Sequence, residues 1–433
     1  MPCSYGKDIE KGFSDLHFLS ATKADILYMA NMNCVDIFSG CGGLTLGLHK
    51  AGIRGLFAIE KSPDAFETLK TNLIDRLNHF NWPKWLPQQA HDINIVLKKY
   101  QHQLRSLRGH IDLLAGGPPC QGFSLAGRRQ NDDQRNKLVH SYIAMVDAIH
   151  PKFLLFENVK GFSIPFQVKE GDKPYSSLVV DALEARGYDV AFKLVDFSEF
   201  GVPQHRTRFI LIGVSKEMFK RGINANNFFS LLQKKRRRFL SNKGLSHGLI
   251  SVHTAISDLL IENGIYHTDD EFKNFDFGRY GKAKTSYQHL MRKNIVDDSN
   301  PDSHRFAHHT QEIINRFQTA IDENLSSSAY RERFKLKKSS TKLLLSYAPT
   351  PTLTTLPDDY IHYCEPRILT VREYARIQSF PDDYIFCGKY TTGGPRRVLE
   401  VPRYSQIGNA IPPLFGEIAG LVLKEMYNGK NQI

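Results

Sequence analysis

Residues 34–43 read Cys-Val-Asp-Ile-Phe-Ser-Gly-Cys-Gly-Gly. A short apolar run, Cys34 to Phe38, passes into the loop Phe38 to Gly43, which opens a helical pattern running to Gly52. Glycines in such a loop let a ligand approach the backbone closely, and the helix N-terminus offers free amide donors. Thr45 stands where the dinucleotide fingerprint needs its third glycine. A nicotinamide or flavin is therefore disfavoured, and something smaller than a dinucleotide is expected.

Outward from this loop, short apolar runs alternate with helical patterns, the rhythm of a parallel sheet with crossover helices. The strand candidates are Cys34 to Phe38, Gly55 to Ile59, Ile111 to Ala115, Phe153 to Phe156, Val190 to Val195 and Arg208 to Val214. Lys137 to His150 places Leu138, Tyr142, Met145, Val146 and Ile149 on one helical face and stops before Pro151. After Val214 the chain becomes polar and basic, with the run Lys234-Lys235-Arg236-Arg237-Arg238. A smaller domain is expected over residues 215–364, between the two parts of a larger one, 34–214 and 365–433, with 1–33 as an N-terminal extension. Within the smaller part, Thr310 caps a predicted helix carrying Ile313, Ile314, Phe317, Ala320 and Ile321 on one face. A capping box, Thr370-Val371-Arg372-Glu373, starts another helix, which is expected to stop at Pro381.

Of the 433 residues, 41% are hydrophobic and 24% charged, enough for one full core and a second, smaller one. The formal net charge of +12 points to a polyanionic partner, with nucleic acid leading. Six scattered cysteines without a CxxC pair suggest a reducing, intracellular setting. No apolar stretch approaches the roughly 20 residues of a membrane span, so a soluble protein is expected.

Glu60, closing the second strand about 20 residues past the glycine loop, is placed to accept hydrogen bonds from ribose hydroxyls. Asp92 would hold an adenine amine. Together with the loop they describe a nucleoside cofactor. The segment Gly116-Gly117-Pro118-Pro119-Cys120-Gln121-Gly122-Phe123-Ser124 follows the third strand. Its prolines fix the backbone directly before a cysteine at the carboxyl edge of the sheet, where open α/β folds bind ligands. A cysteine in a polar loop, outside any apolar run, reads as a nucleophile rather than a core thiol. Glu157, at the end of the neighbouring strand, is the matching proton manager, its pKa raised by apolar surroundings. Arg206 and Arg208 alternate by two, so an extended segment would send both to one face, one into the crevice and its neighbour to a phosphate.

These motifs resemble, in order, those of the DNA cytosine C5-methyltransferases of the bacterial restriction-modification type. The matching segments are Asp36 to Gly43, Gly117 to Ser124, Glu157-Asn158-Val159, Gln204 to Arg208, Arg372 to Tyr384, and Gln406-Ile407-Gly408-Asn409-Ala410 with Pro412. They run from Val35 to the C-terminus. The resemblance implies an α/β, Rossmann-like mixed sheet of the S-adenosylmethionine-dependent methyltransferase type with a smaller target-recognition domain. It implies that Cys120 attacks C6 of cytosine, that Glu157 bonds N3, and that Arg208, with Arg206 near it, stabilises the charge at O2 and binds the adjacent phosphate. Base flipping follows, because the target atoms lie inside a stacked duplex, with Gln121 and Ser124 on the loop that closes over the base. The cofactor-binding positions would be Phe38, Ser39, Gly40, Gly42, Gly43, Glu60, Lys61, Asp92, Ile93, Pro118, Leu138 and Asn409.

The partner implied is double-stranded DNA, with the basic run 234–238 tracking phosphates and threonine and small residues of the stretch Ala348 to Thr355 contacting base edges and methyls. A monomer in the bacterial cytoplasm is expected, with a cognate restriction endonuclease sharing the DNA site but not a stable complex. His304, His308 and His309 are not completed by cysteines or carboxylates into a tetrahedral set, so no metal is expected. Two other readings stand beside this one. A tRNA cytosine methyltransferase on the same scaffold would usually carry Cys-Phe-Thr in the recognition segment, which is absent here. A DNA-binding protein that has lost catalysis would not need Cys120, Glu157 and Arg208 together.

Overall fold

The computed structural model describes residues 32–119, 137–164, 174–268, 274–296, 299–391 and 400–429. Six strands match the six apolar runs: β1 (Asn33–Ile37), β2 (Arg54–Ile59), β3 (Leu113–Gly116), β4 (Phe153–Val159), β5 (Tyr188–Asp196) and β6 (Thr207–Ser215). They form one sheet in the order β2-β1-β3-β4-β6-β5. β1 to β4 are parallel, whereas β6 lies antiparallel to both β4 and β5. Five of the six strands therefore run the same way and only β6 is reversed, so the sheet is mixed, as the resemblance implied. Strand direction is invisible to periodicity in a segment like β6, because a strand covered on both faces reads as a continuous apolar run whichever way it points.

Alternation along each strand feeds two cores. Leu113, Phe153, Leu155, Ile210 and Ile212 face one, and Leu114, Leu154, Phe156, Phe209 and Leu211 face the other. The helices that position the site are α1 (Gly43–Lys50), α2 (Ile93–Lys99), α3 (Lys137–Ile149), α4 (Tyr175–Glu184), α5 (Ala225–Asn242), α6 (Gln311–Asp322), α7 (Val371–Ile377), α8 (Arg403–Asn409) and α9 (Pro413–Tyr427). Residues of α1, α5 and α9 fill the first core, and residues of α2, α3 and α4 fill the second. The result is a three-layer α/β/α arrangement.

α5 begins with the Ala225 amide donating to Asp189 Oδ2 at 2.6 Å, and its Phe228, Phe229 and Leu232 join the first core. The expected boundary at residue 215 thus falls inside the packed sheet layers, since α5 covers β5 and the basic run belongs to this helix. Farther along, Phe317, Ala320, Tyr330, Ile361 and Ile368 make a separate, smaller core. Thr310 caps α6 as expected, accepting from Ile313 N at 3.4 Å.

α7 starts at the expected capping box, with Thr370 Oγ1 and Glu373 each accepting the other's backbone amide. It ends at Ile377 rather than reaching Pro381, because Ser379 adopts a left-handed φ of 62°. Every residue of α7 is buried, including two arginines. Arg376 donates to Asp258 at 2.9 and 3.1 Å and to Asp382 at 2.5 and 2.6 Å, and Arg372 reaches Asp302 at 2.9 Å. A guanidinium without water survives only with such paired acceptors. Arg376→Met should lower the free energy of unfolding by about 3–5 kcal/mol, because two buried carboxylates lose their partner. A urea midpoint shift worth less than about 1 kcal/mol would show that the cluster contributes little.

Candidate active site

The glycine loop turns sharply at the end of β1. Phe38, Gly40 and Gly42 all have positive φ, at 58°, 56° and 86°. A left-handed phenylalanine is strained, and such backbone gathers at functional sites. The Glu60 carboxylate anchors the loop, accepting from Gly40 N at 2.9 Å and Ser62 N at 2.7 Å. Burial raises its pKa, and these amide bonds hold the rise back. Each carboxylate oxygen keeps a lone pair for a further donor. Asp92 caps α2, accepting from Asn94 N at 2.9 Å and pairing with Lys61 Nζ at 2.9 Å. Partial burial works to raise the Asp92 pKa, but Lys61 and Asn94 outweigh it and hold it low. Below the loop, buried Asp36 accepts from Thr45 Oγ1 at 2.5 Å, and burial lifts its pKa to about 7.

The far end of the loop is fixed from the other end of the chain. Tyr384 Oη donates to Cys41 O at 2.6 Å, and Cys41 Sγ lies 3.5 Å from Gln406 O. Cys41 is buried, and burial pushes its thiol pKa up to about 12, so it is a core thiol.

At the neighbouring strand ends, Glu157 and Arg208 form an ion pair, Oε1 to Nε 3.0 Å. Burial raises the Glu157 pKa against the opposing pull of Arg208 and Arg206, in the direction the sequence suggested. Gly117 makes this placement possible: a Cβ there would stand 2.7 Å from Glu157 Oε2. Asn158 Nδ2 donates to Pro118 O at 3.2 Å, pinning the loop that leads into Cys120. Cys120, Gln121 and Ser124 themselves lie outside the described residues.

Arg206 departs from expectation. It is 2% exposed, with Nη2 donating to Gly408 O at 2.9 Å and Nη1 to Leu353 O at 3.3 Å. A guanidinium so enclosed fastens the chain around it and is not presented to a surface phosphate. Its Nε has no partner among the described residues.

A cavity of about 1330 Å³ joins these parts. Of the expected residues, Phe38, Ser39, Gly40, Glu60, Lys61, Asp92, Ile93, Pro118, Leu138, Asn409, Glu157, Arg206 and Arg208 line it. Gly42 and Gly43 do not. A Cβ on Gly42 would meet Leu73 at 2.6 Å and Tyr384 Oη at 2.8 Å, and one on Gly43 would meet Ile411 O at 2.4 Å, so both are glycines for packing. Gly40 differs, because a Cβ there would meet nothing within 4 Å and the loop backbone faces open cavity. Loop backbone open to the cavity at Gly40, beside an aromatic ring and a carboxylate with spare acceptor capacity, suits a nucleoside bearing ribose hydroxyls.

Gln378 was not anticipated. Its amide donates to Ile407 O at 2.8 Å and Ala410 O at 3.3 Å and accepts from Gln204 Nε2 at 2.9 Å, while Gln204 Oε1 accepts from Leu353 N at 2.7 Å. The relay holds the Asn409 segment to the turn that carries Arg206. The available signal is spacing: Gln378 occupies the apolar stripe of Val371, Tyr374 and Ala375, where a polar residue must find buried partners. Of the three histidines, His304 sits between Thr370 Oγ1 and Leu259 O, His308 stacks on Phe275, and His309 accepts from Ile368 N.

Comparison with known proteins places the chain in a family. The family model for C-5 cytosine-specific DNA methylase matches residues 32–425. The chain is 32% identical over 403 residues to the type II methyltransferase M.DdeI of Desulfomicrobium norvegicum, covering 89% of this chain and 87% of that protein. It is 28% identical to M.XorII of Xanthomonas oryzae pv. oryzae, over 90% of this chain and 84% of that one. The fold also matches a crystal structure of a prophage-encoded DNA modification methyltransferase from E. coli, with a TM-score of 0.60, 24% identity and coverage of 93% and 100%. The protein is a DNA (cytosine-5-)-methyltransferase, a member of the C-5 cytosine-specific DNA methylase family.

Proposed function

We propose that the protein methylates C5 of a cytosine within a specific double-stranded DNA sequence, through a covalent bond from Cys120 to C6 of a flipped base, as the modification enzyme of a type II restriction-modification system. The observation that carries the mechanism is the Glu157–Arg208 pair in the same cavity as the Gly117–Pro119 approach to Cys120. S-adenosylmethionine, when bound, supplies an electrophilic methyl group. Phe38, Ser39, Gly40, Glu60, Lys61, Asp92, Ile93, Pro118, Leu138 and Asn409 would hold it, with Glu60 taking the ribose hydroxyls and Asp92 the adenine amine.

The Cys120 thiolate adds to C6, and the electron pair released toward the ring makes C5 nucleophilic. Glu157, its pKa raised by burial, hydrogen-bonds N3 and draws that charge, while Arg208 takes O2. After C5 gains the methyl group, loss of the C5 proton and expulsion of the thiolate restore the aromatic ring. Gln121 and Ser124 would close over the flipped base. Residues 34–214 and 365–433, with α5 packed on them, would make the catalytic domain, and the remainder of 215–364 the target-recognition domain. The protein would work on DNA as a monomer in the cytoplasm; no helix among the described residues is long and apolar enough to cross a membrane.

Labelled methyl from S-adenosylmethionine should pass to duplex DNA at one short motif and fall by at least about 10⁴-fold in Cys120→Ala. Label on tRNA alone, or label surviving that substitution, overturns the reading. Gly117→Ala should cut turnover about 10²-fold or more with little change in thermal stability, since its methyl displaces the Glu157 carboxylate. Unchanged turnover would mean that the Glu157 position is not critical.

Glu157→Gln should lose activity and also alter the stability profile. Because the folded pKa of Glu157 lies above its ordinary 4.5, the unfolded chain ionises first as pH rises. Wild type therefore loses stability relative to Glu157→Gln from about pH 4.5 up to the raised folded value, then levels off. Parallel melting curves across that range would contradict the raised pKa.

A further inference from the structure

The basic run read from the sequence lies on α5, where its five cations divide into two groups. Lys235 pairs with Glu425, and Arg236 donates to Glu199 O at 2.7 Å and His247 O at 3.2 Å, which clamps the helix to the body. Lys234, Arg237 and Arg238 are exposed and share one helical face by their spacing of three and four. Among the described residues none of the three has an ion-pair or hydrogen-bond partner. α5 carries no carboxylate, and the nearby Glu199 and Glu425 side chains are already engaged by Gln233 and Lys235.

The direction of α5 decides what this face meets. β4 and β5 both run antiparallel to β6, so they point the same way. α5 starts beside Asp189 near the beginning of β5, and by Arg236 it has reached Glu199, just beyond the end of β5. Its basic half therefore stands at the sheet edge where Glu157 lies near the end of β4 and Arg208 at the start of antiparallel β6. Two strand spacings of about 4.8 Å and a layer of roughly 10 Å separate this half from Glu157, on the order of 20 Å with side chains, or about six base pairs of duplex.

The geometry points to the Lys234, Arg237 and Arg238 face as a sequence-independent clamp on the phosphates of duplex DNA flanking the target site, outside the segment that reads bases. This inference rests on the DNA methyltransferase reading. Its test compares wild type with the triple variant Lys234→Gln/Arg237→Gln/Arg238→Gln on duplexes of about 10 and about 40 base pairs centred on the mapped site.

On the long duplex the variant should bind about 10-fold more weakly near 0.1 M salt, with a log–log salt slope shallower by roughly 2 to 3. On the short duplex, binding and methylation should match wild type, which also shows that the variant is folded. An equal loss at both lengths, or no loss at either, overturns the clamp. Failure of the wild type to label any DNA would instead remove the methyltransferase reading beneath it.

Discussion

A Cβ on Gly47 would stand 2.5 Å from the carbonyl carbon of Gly416. Helices α1 and α9 therefore pack at backbone distance, and Gly420 against Ala51 extends the contact, where a Cβ would meet the Ala51 methyl at 2.7 Å. Everything at the cofactor end of the cavity depends on this contact. It brings α8, immediately before α9, to the glycine loop, so that Gln406 meets Thr68 at 2.7 Å and Asn409 reaches the cavity wall. A larger residue in that seam would force the helices apart, and close-packed interiors yield only at a cost.

The opposite wall is held by largely buried polar groups. Glu157 and Arg208 are paired across β4 and β6, while Gln204, Gln378 and Arg206 tie the β5–β6 turn to Leu353, Ile407 and Gly408. Each group costs free energy to desolvate and is tolerated because its partners are in place. The cavity is thus preorganised: the Glu157 and Arg208 side chains hold each other in place before any substrate arrives.

Much of this was legible in the chain. The glycine loop, Glu60 and Glu157 could be assigned because each lies at the end of a strand, and parallel strands deliver their ends to one edge, whereas Arg208 reaches that edge from the start of antiparallel β6 and Asp92 from the cap of α2. The six strands and the caps at Thr310 and Thr370 were equally readable, since periodicity and capping are local signals. The direction of β6, the packing role of Gly42 and Gly43, the enclosure of Arg206 and the Gln378 relay were not. Each is settled by residues far away in the chain, such as Ile411, Gly408 and Ala410, and no local pattern records such a neighbour. The basic run was legible only in part: its composition marks charge, but only the docking of α5 on β5 says where that charge stands.

The tie between the glycine loop and the distant segment around Gln406 has a consequence for synthesis. Cys41 and Gln406 are 365 positions apart, and Tyr384 closes the same loop. On the ribosome, β1 and α1 emerge long before these partners exist, so the first core stays open along α1 until nearly the whole chain has been made. Such long-range closure is slow and leaves apolar surface uncovered meanwhile. Truncated chains, lacking α8 and α9, would carry the catalytic strands without the wall that completes their cavity, and so would be prone to aggregate before they could modify DNA.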